Sequence, residues 1–199
     1  IRDRYLGANP LNASATAVEG DYVTRDGESF YRIANVDGMN DFFISVVSDS
    51  NHWMFISTRG GLSAGRTDCD SALFPYYTED KIRDNSDNTG SRTIVIADQG
   101  GKRMLWEPFS RCHTGIYSIT RNLYKNVLGD KLIFEETNHD LGLQFSYSWS
   151  TSDRFGFVKQ STIAATGNAE SAVAILDGIE NLLPYGCLLY TSPSPRDTL

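Results

Sequence analysis

Leu143-Gln-Phe-Ser-Tyr-Ser-Trp149 decides the fold class. Leu, Phe, Tyr and Trp take every second position, with Gln and Ser between them. Successive side chains of a strand point to opposite faces, so this period puts all four on one face of a sheet. The next run, Phe155-Gly-Phe-Val-Lys-Gln-Ser-Thr-Ile163, follows across Ser150-Thr-Ser-Asp-Arg154, a stretch of turn formers. Upstream, residues 116–127 and 131–136 flank Leu128-Gly-Asp130, and residues 92–97 and 102–107 form two further β-type runs. Phe42-Phe-Ile-Ser-Val-Val47 and His52-Trp-Met-Phe-Ile-Ser57 are compact aromatic and β-branched blocks around Ser48-Asp-Ser-Asn51, which predicts an antiparallel hairpin. Residues 29–36 alternate more loosely. Short strands at this spacing, broken by Gly and Asp turns, predict an all-β antiparallel sandwich rather than alternating βα units.

The flanks read differently. Residues 1–20 are rich in Ala, Asn and Gly with little periodicity and are expected to be a poorly ordered lead-in. Residues 170–183 carry apolar positions that suit either a helix stripe or a strand; Asp177-Gly178 and Pro184 favour a strand over residues 172–176 that turns at Asp177-Gly178. Residues 187–199, beginning Cys187-Leu-Leu-Tyr-Thr-Ser-Pro-Ser-Pro-Arg-Asp197, resemble the translation of a transposon-type sequencing adaptor and are set aside from fold reasoning. The expectation is one incomplete domain over residues 21–186. A signal peptide, if the protein has one, would lie upstream of Ile1.

Composition bounds the function. The chain has 199 residues, 18 Lys and Arg against 25 Asp and Glu, and a net charge of −7. That balance argues against nucleic acid, whose phosphates are held mainly by Lys and Arg, and against an anionic membrane surface. Removing residues 187–199 takes away Arg196 and Asp197 and leaves the charge at −7. No apolar run approaches the roughly 20 residues of a membrane helix. Three cysteines in 199 residues cannot form a disulfide scaffold.

Most local motifs fail their own requirements. Asn85-Ser-Asp-Asn-Thr-Gly90 resembles a calcium loop, but Ile96 stands where the bidentate Glu is needed, so a solvated turn is expected. Asp68-Cys-Asp70 is two carboxylates in a polar loop. Cys69 and Cys112-His113 lack a second pair at zinc spacing, and both cysteines read as buried small hydrophobes. His52 and His139 lie beside Asn51 and Asp140, where bonding to a loop backbone is the expected fate. Asn12-Ala-Ser14 fits a glycosylation acceptor. Among the carboxylates Glu79-Asp80, Glu107 and Glu135-Glu136, the last two point to opposite faces of a strand and cannot be a catalytic pair across a sugar.

The stretch from Asp41 to Ile82 differs in kind. Gly60-Gly61 and Gly65 supply flexible backbone between Arg59 and Arg66, and Leu73-Phe-Pro-Tyr-Tyr77 places large apolar and aromatic residues around a rigid proline. Aromatics clustered with Arg suit a sugar platform or a packed interdomain loop, and packing is the preferred reading.

Gly60-Gly-Leu-Ser-Ala-Gly-Arg66 followed by Ala72-Leu-Phe-Pro-Tyr-Tyr77, with Trp106-Glu-Pro-Phe109 and Leu176-Asp-Gly-Ile-Glu-Asn-Leu-Leu-Pro-Tyr-Gly186 downstream, resembles the N-terminal β-sandwich domain of cellobiose-phosphorylase-like proteins, related to glycoside hydrolase family 94. The resemblance covers residues 32–186, weakly in the middle. It implies a galactose-mutarotase-like antiparallel supersandwich, here incomplete. It also implies carbohydrate metabolism: a parent protein that phosphorolyses β-glucosidic oligosaccharides, a glycosyltransferase-type reaction, with oligosaccharide and phosphate bound in a helical barrel absent from this sequence. A hydrolase or transglycosylase of the same architecture and a stand-alone carbohydrate-binding or structural sandwich are the alternatives. No catalytic residue carries over, no metal or cofactor is implied, no substrate-binding residue is assigned, and Arg66, Tyr76 and Tyr77 could face a barrel or a sugar subsite. The resemblance allows a homodimer of the parent, and a cytoplasmic location is expected.

Overall fold

A computed structural model describes residues 5–6, 9–10, 17–68, 71–74, 87–167 and 170–183. In chain order its strands are β1 (Tyr5–Leu6), β2 (Asn9–Pro10), β3 (Glu19–Arg25), β4 (Glu28–Ala34), β5 (Phe43–Val46), β6 (His52–Ser57), β7 (Leu62–Arg66), β8 (Gly90–Gln99), β9 (Lys102–Trp106), β10 (Ile119–Asn126), β11 (Lys131–Asn138), β12 (Leu143–Ser152), β13 (Gly156–Ala165) and β14 (Ala172–Glu180). The helical content among the described residues is one 3-10 turn, Val36–Gly38, and 3-10 geometry at Ser71. A six-stranded sheet runs in the order β13-β12-β11-β10-β4-β3, and two three-stranded sheets, β5-β6-β7 and β14-β8-β9, face it. Every pairing is antiparallel, so the chain is an all-β antiparallel sandwich.

The core follows from alternation. Leu143, Phe145, Tyr147 and Trp149 of β12 are all buried, and they pair across to Asn138, Glu136, Phe134 and Leu132 of β11 in that order. Ile44 and Val46 of β5, Met54 and Ile56 of β6, Val95 and Ala97 of β8 and Trp106 of β9 close the same cluster from the opposite layer. Phe134 stacks on Tyr147 at 4.8 Å, and Phe109 meets Tyr147 edge-on at 5.2 Å. Each fully buried side chain of this size contributes about 1.5–3 kcal/mol.

One carboxylate ties the layers together. Glu136 is 1% exposed and accepts hydrogen bonds from Trp106 Nε1 at 2.7 Å, the Phe109 amide at 2.7 Å and Arg121 Nε at 2.6 Å. Burial alone would drive Arg121 toward its neutral form, but Glu136 and Asp37 outweigh burial and hold its pKa above the ordinary value. Glu135 points the other way, as alternation requires, and accepts from Tyr124 OH at 2.6 Å and Asn122 Nδ2 at 3.0 Å.

The structure corrects several expectations. Residues 172–176 do not turn at Asp177-Gly178; β14 continues to Glu180 in register with β8, because Asp177 accepts from Thr93 Oγ1 at 2.6 Å and Lys159 Nζ at 2.7 Å. Those bonds occupy the side chain that would otherwise favour a turn. Residues 116–127 yield a strand only from Ile119, since the preceding residues form turns and Ile116 is exposed. The lead-in is not featureless: β1 pairs with β2, and β3 begins at Glu19. β3 and β4 form a hairpin through Asp26 and Gly27, with φ of 51° and 80°, the left-handed pair that a two-residue turn of this hand requires. Gly65, read above as flexible backbone, is a close approach inside β7. A Cβ there would lie 2.5 Å from the Trp53 indole and 2.7 Å from the Ser71 carbonyl oxygen.

Candidate functional site

A groove of about 410 Å³ opens at one end of the sandwich, where β6, β7, the β12–β13 hairpin and β14 converge. Its position follows from pairing. Leu73 N donates to the Ala64 carbonyl at 2.8 Å and Gly65 bridges to Ala72, which lays Leu73 and Phe74 along the end of β7. Leu183 N donates to the Leu73 carbonyl at 2.7 Å, which brings Ile179 and Leu182 to the same opening. Phe74 is 2% exposed and belongs to the core, so packing is the role of this aromatic.

Trp149 and the β12–β13 hairpin form the facing wall. Trp149 is 2% exposed, yet its indole N–H has no hydrogen-bond partner among the described residues. An unpaired buried donor costs about 1–3 kcal/mol, so a ligand acceptor reaching it would recover that energy. Phe155, at the hairpin tip, is 72% exposed, and Arg154 lies 5.2 Å from its ring centre. His52 meets Phe157 edge-on at 5.2 Å, and its Nδ1 lies 2.5 Å from Ser50 Oγ. Lys159 is committed to Asp177. Burial opposes ionisation of Asp177, but the bonds from Lys159 and Thr93 outweigh it and hold its pKa below the usual value. Arg66 donates to Asn51 Oδ1 at 3.2 Å, and neither Arg66 nor Arg154 forms an ion pair among the described residues. The exposed Phe155 ring and two guanidinium groups line the mouth of the groove, with Trp149 buried behind them. Ser50 and His52 lack an orienting carboxylate among the described residues, so the groove shows no assembled nucleophile.

The other sequence candidates are scattered. Arg59 lines a different recess with Asp37 and Arg121, so the two arginines flanking the glycines do not act together. Asp68 Oδ1 accepts from the Ser71 amide at 3.1 Å and caps its own loop. Cys112 is exposed rather than buried. The rings of His52 and His139 bond side-chain hydroxyls, Ser50 and Thr120, rather than loop backbone. Glu107 pairs with Arg92 at 2.8 Å and with His113 at 3.5 Å. Among the described residues no three His, Cys, Asp or Glu side chains gather to hold a metal, and no helix is long and apolar enough to cross a membrane. Asn12, Ser14, Cys69, Asp70, Pro75, Tyr76, Tyr77, Glu79, Asp80, Asn85, Ser86, Pro184 and residues 187–199 lie outside the described residues.

Sequence reasoning missed Trp149, Arg154 and Phe155 as groove residues. The exposed hairpin tip Arg154-Phe155-Gly156 was the available signal, because a large aromatic in a turn has no strand face to hide on. Compared with known protein families and with curated proteins, the chain matches none.

Proposed function

We propose that this chain is a carbohydrate-binding β-sandwich domain of a carbohydrate-active enzyme, similar to the N-terminal domain of cellobiose-phosphorylase-like proteins. The groove binds part of a β-glucosidic oligosaccharide, and phosphorolysis takes place in a helical barrel of the parent protein. One observation carries the reading: parts of the first and the last segments on which the resemblance rests reach one opening, while Trp106 and Phe109 of the middle segment pack in the core. Arg66, Leu73 and Phe74 of the first motif line the groove with Ile179 and Leu182 of the last. The exposed face of Phe155 suits the C–H face of a sugar ring, while Arg66 and Arg154 suit its hydroxyls.

Titration of the chain with cellotetraose tests the groove. Binding of about millimolar strength, weakened several-fold by Phe155→Ala and by Arg66→Ala, is the expected result. Binding that both variants leave unchanged overturns the groove assignment. In the parent protein, cellobiose consumption that proceeds equally well without inorganic phosphate overturns phosphorolysis in favour of hydrolysis or transglycosylation.

A further inference from the structure

The face of the six-stranded sheet that points away from the core carries a second recess, of about 270 Å³. We infer that it binds one neutral sugar unit of an oligosaccharide, separately from the groove at Trp149. The ligand class rests on the carbohydrate reading above; the location does not.

Antiparallel sheets commonly turn one polar face to water, and a polar face alone would carry no ligand. Three features set this one apart. First, it is concave: Ser146, Ser148 and Ser150 occupy the middle of β12, while Arg25, Glu28 and Lys131 rise on one side and Gln160 and Thr162 on the other. The floor between them is apolar, with Phe30 and Ile133.

Second, the charged wall is fixed in place. Glu28 accepts from Lys131 Nζ at 2.6 Å and from Asn126 Nδ2 at 2.6 Å, and the Lys131 bond leads the causes that hold its pKa below the ordinary value. Arg25 Nη1 stands 3.0 Å from Glu135 while its guanidinium lies 4.5 Å from the Tyr124 ring centre. That nitrogen is buried and lacks an aligned hydrogen-bond acceptor among the described residues. Glu28 balances Lys131 and Glu135 balances Arg25, so these pairs offer a bound anion no net charge. Asp26 at the rim further disfavours anions.

Third, the hydroxyls are unspent. Register places Ser148 opposite Gln160 and Ser146 opposite Thr162. Cross-strand neighbours lie about 4.8 Å apart and same-face positions along a strand about 6.8 Å apart. Nothing described in the chain accepts from or donates to these four side chains, so the grid stays free for the hydroxyls of a ligand. A polyol ring with a C–H face on Ile133 and hydroxyls at both walls pairs with Ser146, Ser148, Gln160 and Thr162; an apolar or anionic ligand does not.

The test is cellotetraose titration of the full 199-residue chain by calorimetry and amide chemical shifts, with Ser148→Val/Thr162→Val for the recess and Phe155→Ala for the groove. Valine suits a strand and keeps the shape of threonine, so the thermal midpoint should hold while recess affinity falls at least tenfold. Saturable shifts in residues 146–150 and 158–162 that survive Phe155→Ala and vanish in the double variant are expected. Shifts confined to residues 66, 73–74 and 154–157, or an unchanged affinity in the double variant, overturn the recess and leave the carbohydrate reading standing. Absence of binding at either site overturns both.

Discussion

β12 and β14 are both rich in apolar residues and meet opposite fates. Leu143, Phe145, Tyr147 and Trp149 are 2–4% exposed, whereas Val173, Ile175 and Ile179 of β14 are 38–43% exposed and Leu176 is 70% exposed. β12 is flanked by β11 and β13 and capped by a facing layer. Among the described residues β14 is an edge strand that pairs with β8 alone. Periodicity therefore reports that a segment is a strand, while position in the sheet decides whether its apolar face is worth anything to stability.

The largest expected effect is in β12. Phe145→Ala should cost about 3–5 kcal/mol by denaturant unfolding, as for other buried aromatics. Ile175→Ala in β14 should cost less than about 1 kcal/mol, because much of its area already faces water. Equal costs would break the comparison.

Next come the adjacent carboxylates of β11. Glu136→Gln should cost about 3–5 kcal/mol, because it removes the main counter-charge of buried Arg121. Glu135→Gln keeps the bonds that Tyr124 and Asn122 donate to an oxygen and should cost about 1–3 kcal/mol. A reversed order in unfolding measurements would show that the outer face, not the core, needs its charge more.

A smaller effect is expected with pH. Burial first, and then the bond to Glu135, push the Tyr124 hydroxyl up to about 12, and burial raises Tyr147 in the same direction. The folded chain keeps these protons while the unfolded chain releases them near pH 10, so the stability they contribute is complete below pH 10 and lost as pH rises toward 12. Thermal midpoints should fall across that window, and Tyr124→Phe should flatten the fall. An unchanged slope in the variant would contradict the shift.

The smallest effect on stability, and the one on solubility, belongs to β14. A nine-residue edge with no second partner strand among the described residues, and with exposed Ile175 and Leu176, favours self-association. Leu176→Lys should leave the unfolding midpoint within about 0.5 kcal/mol of the parent and reduce association in sedimentation. A monomeric parent at high concentration would show that the edge is harmless.

Much of the fold was legible in the residues. The β class, the hairpin of β5 and β6, the single buried face of β12 and the opposed directions of Glu135 and Glu136 all follow from a period of two, which backbone geometry imposes locally. Asp26-Gly27 was an equally local hairpin signal and locates β3, which went unread. The turn at Asp177-Gly178 failed because two partners distant in sequence, Thr93 and Lys159, engage the aspartate. The candidate site was less legible. Leu73 and Phe74 stood out as aromatic and apolar, but only the fold brings them to Trp149 and Phe155.

The sequence by itself thus determined which segments are strands and which side chains share a face, since both depend on neighbours one or two positions away. The tertiary structure alone decided which faces are covered, which buried donors are left without acceptors and which polar residues line a recess. Those outcomes depend on residues brought together across strands, and strand order is not written in the spacing of any one segment.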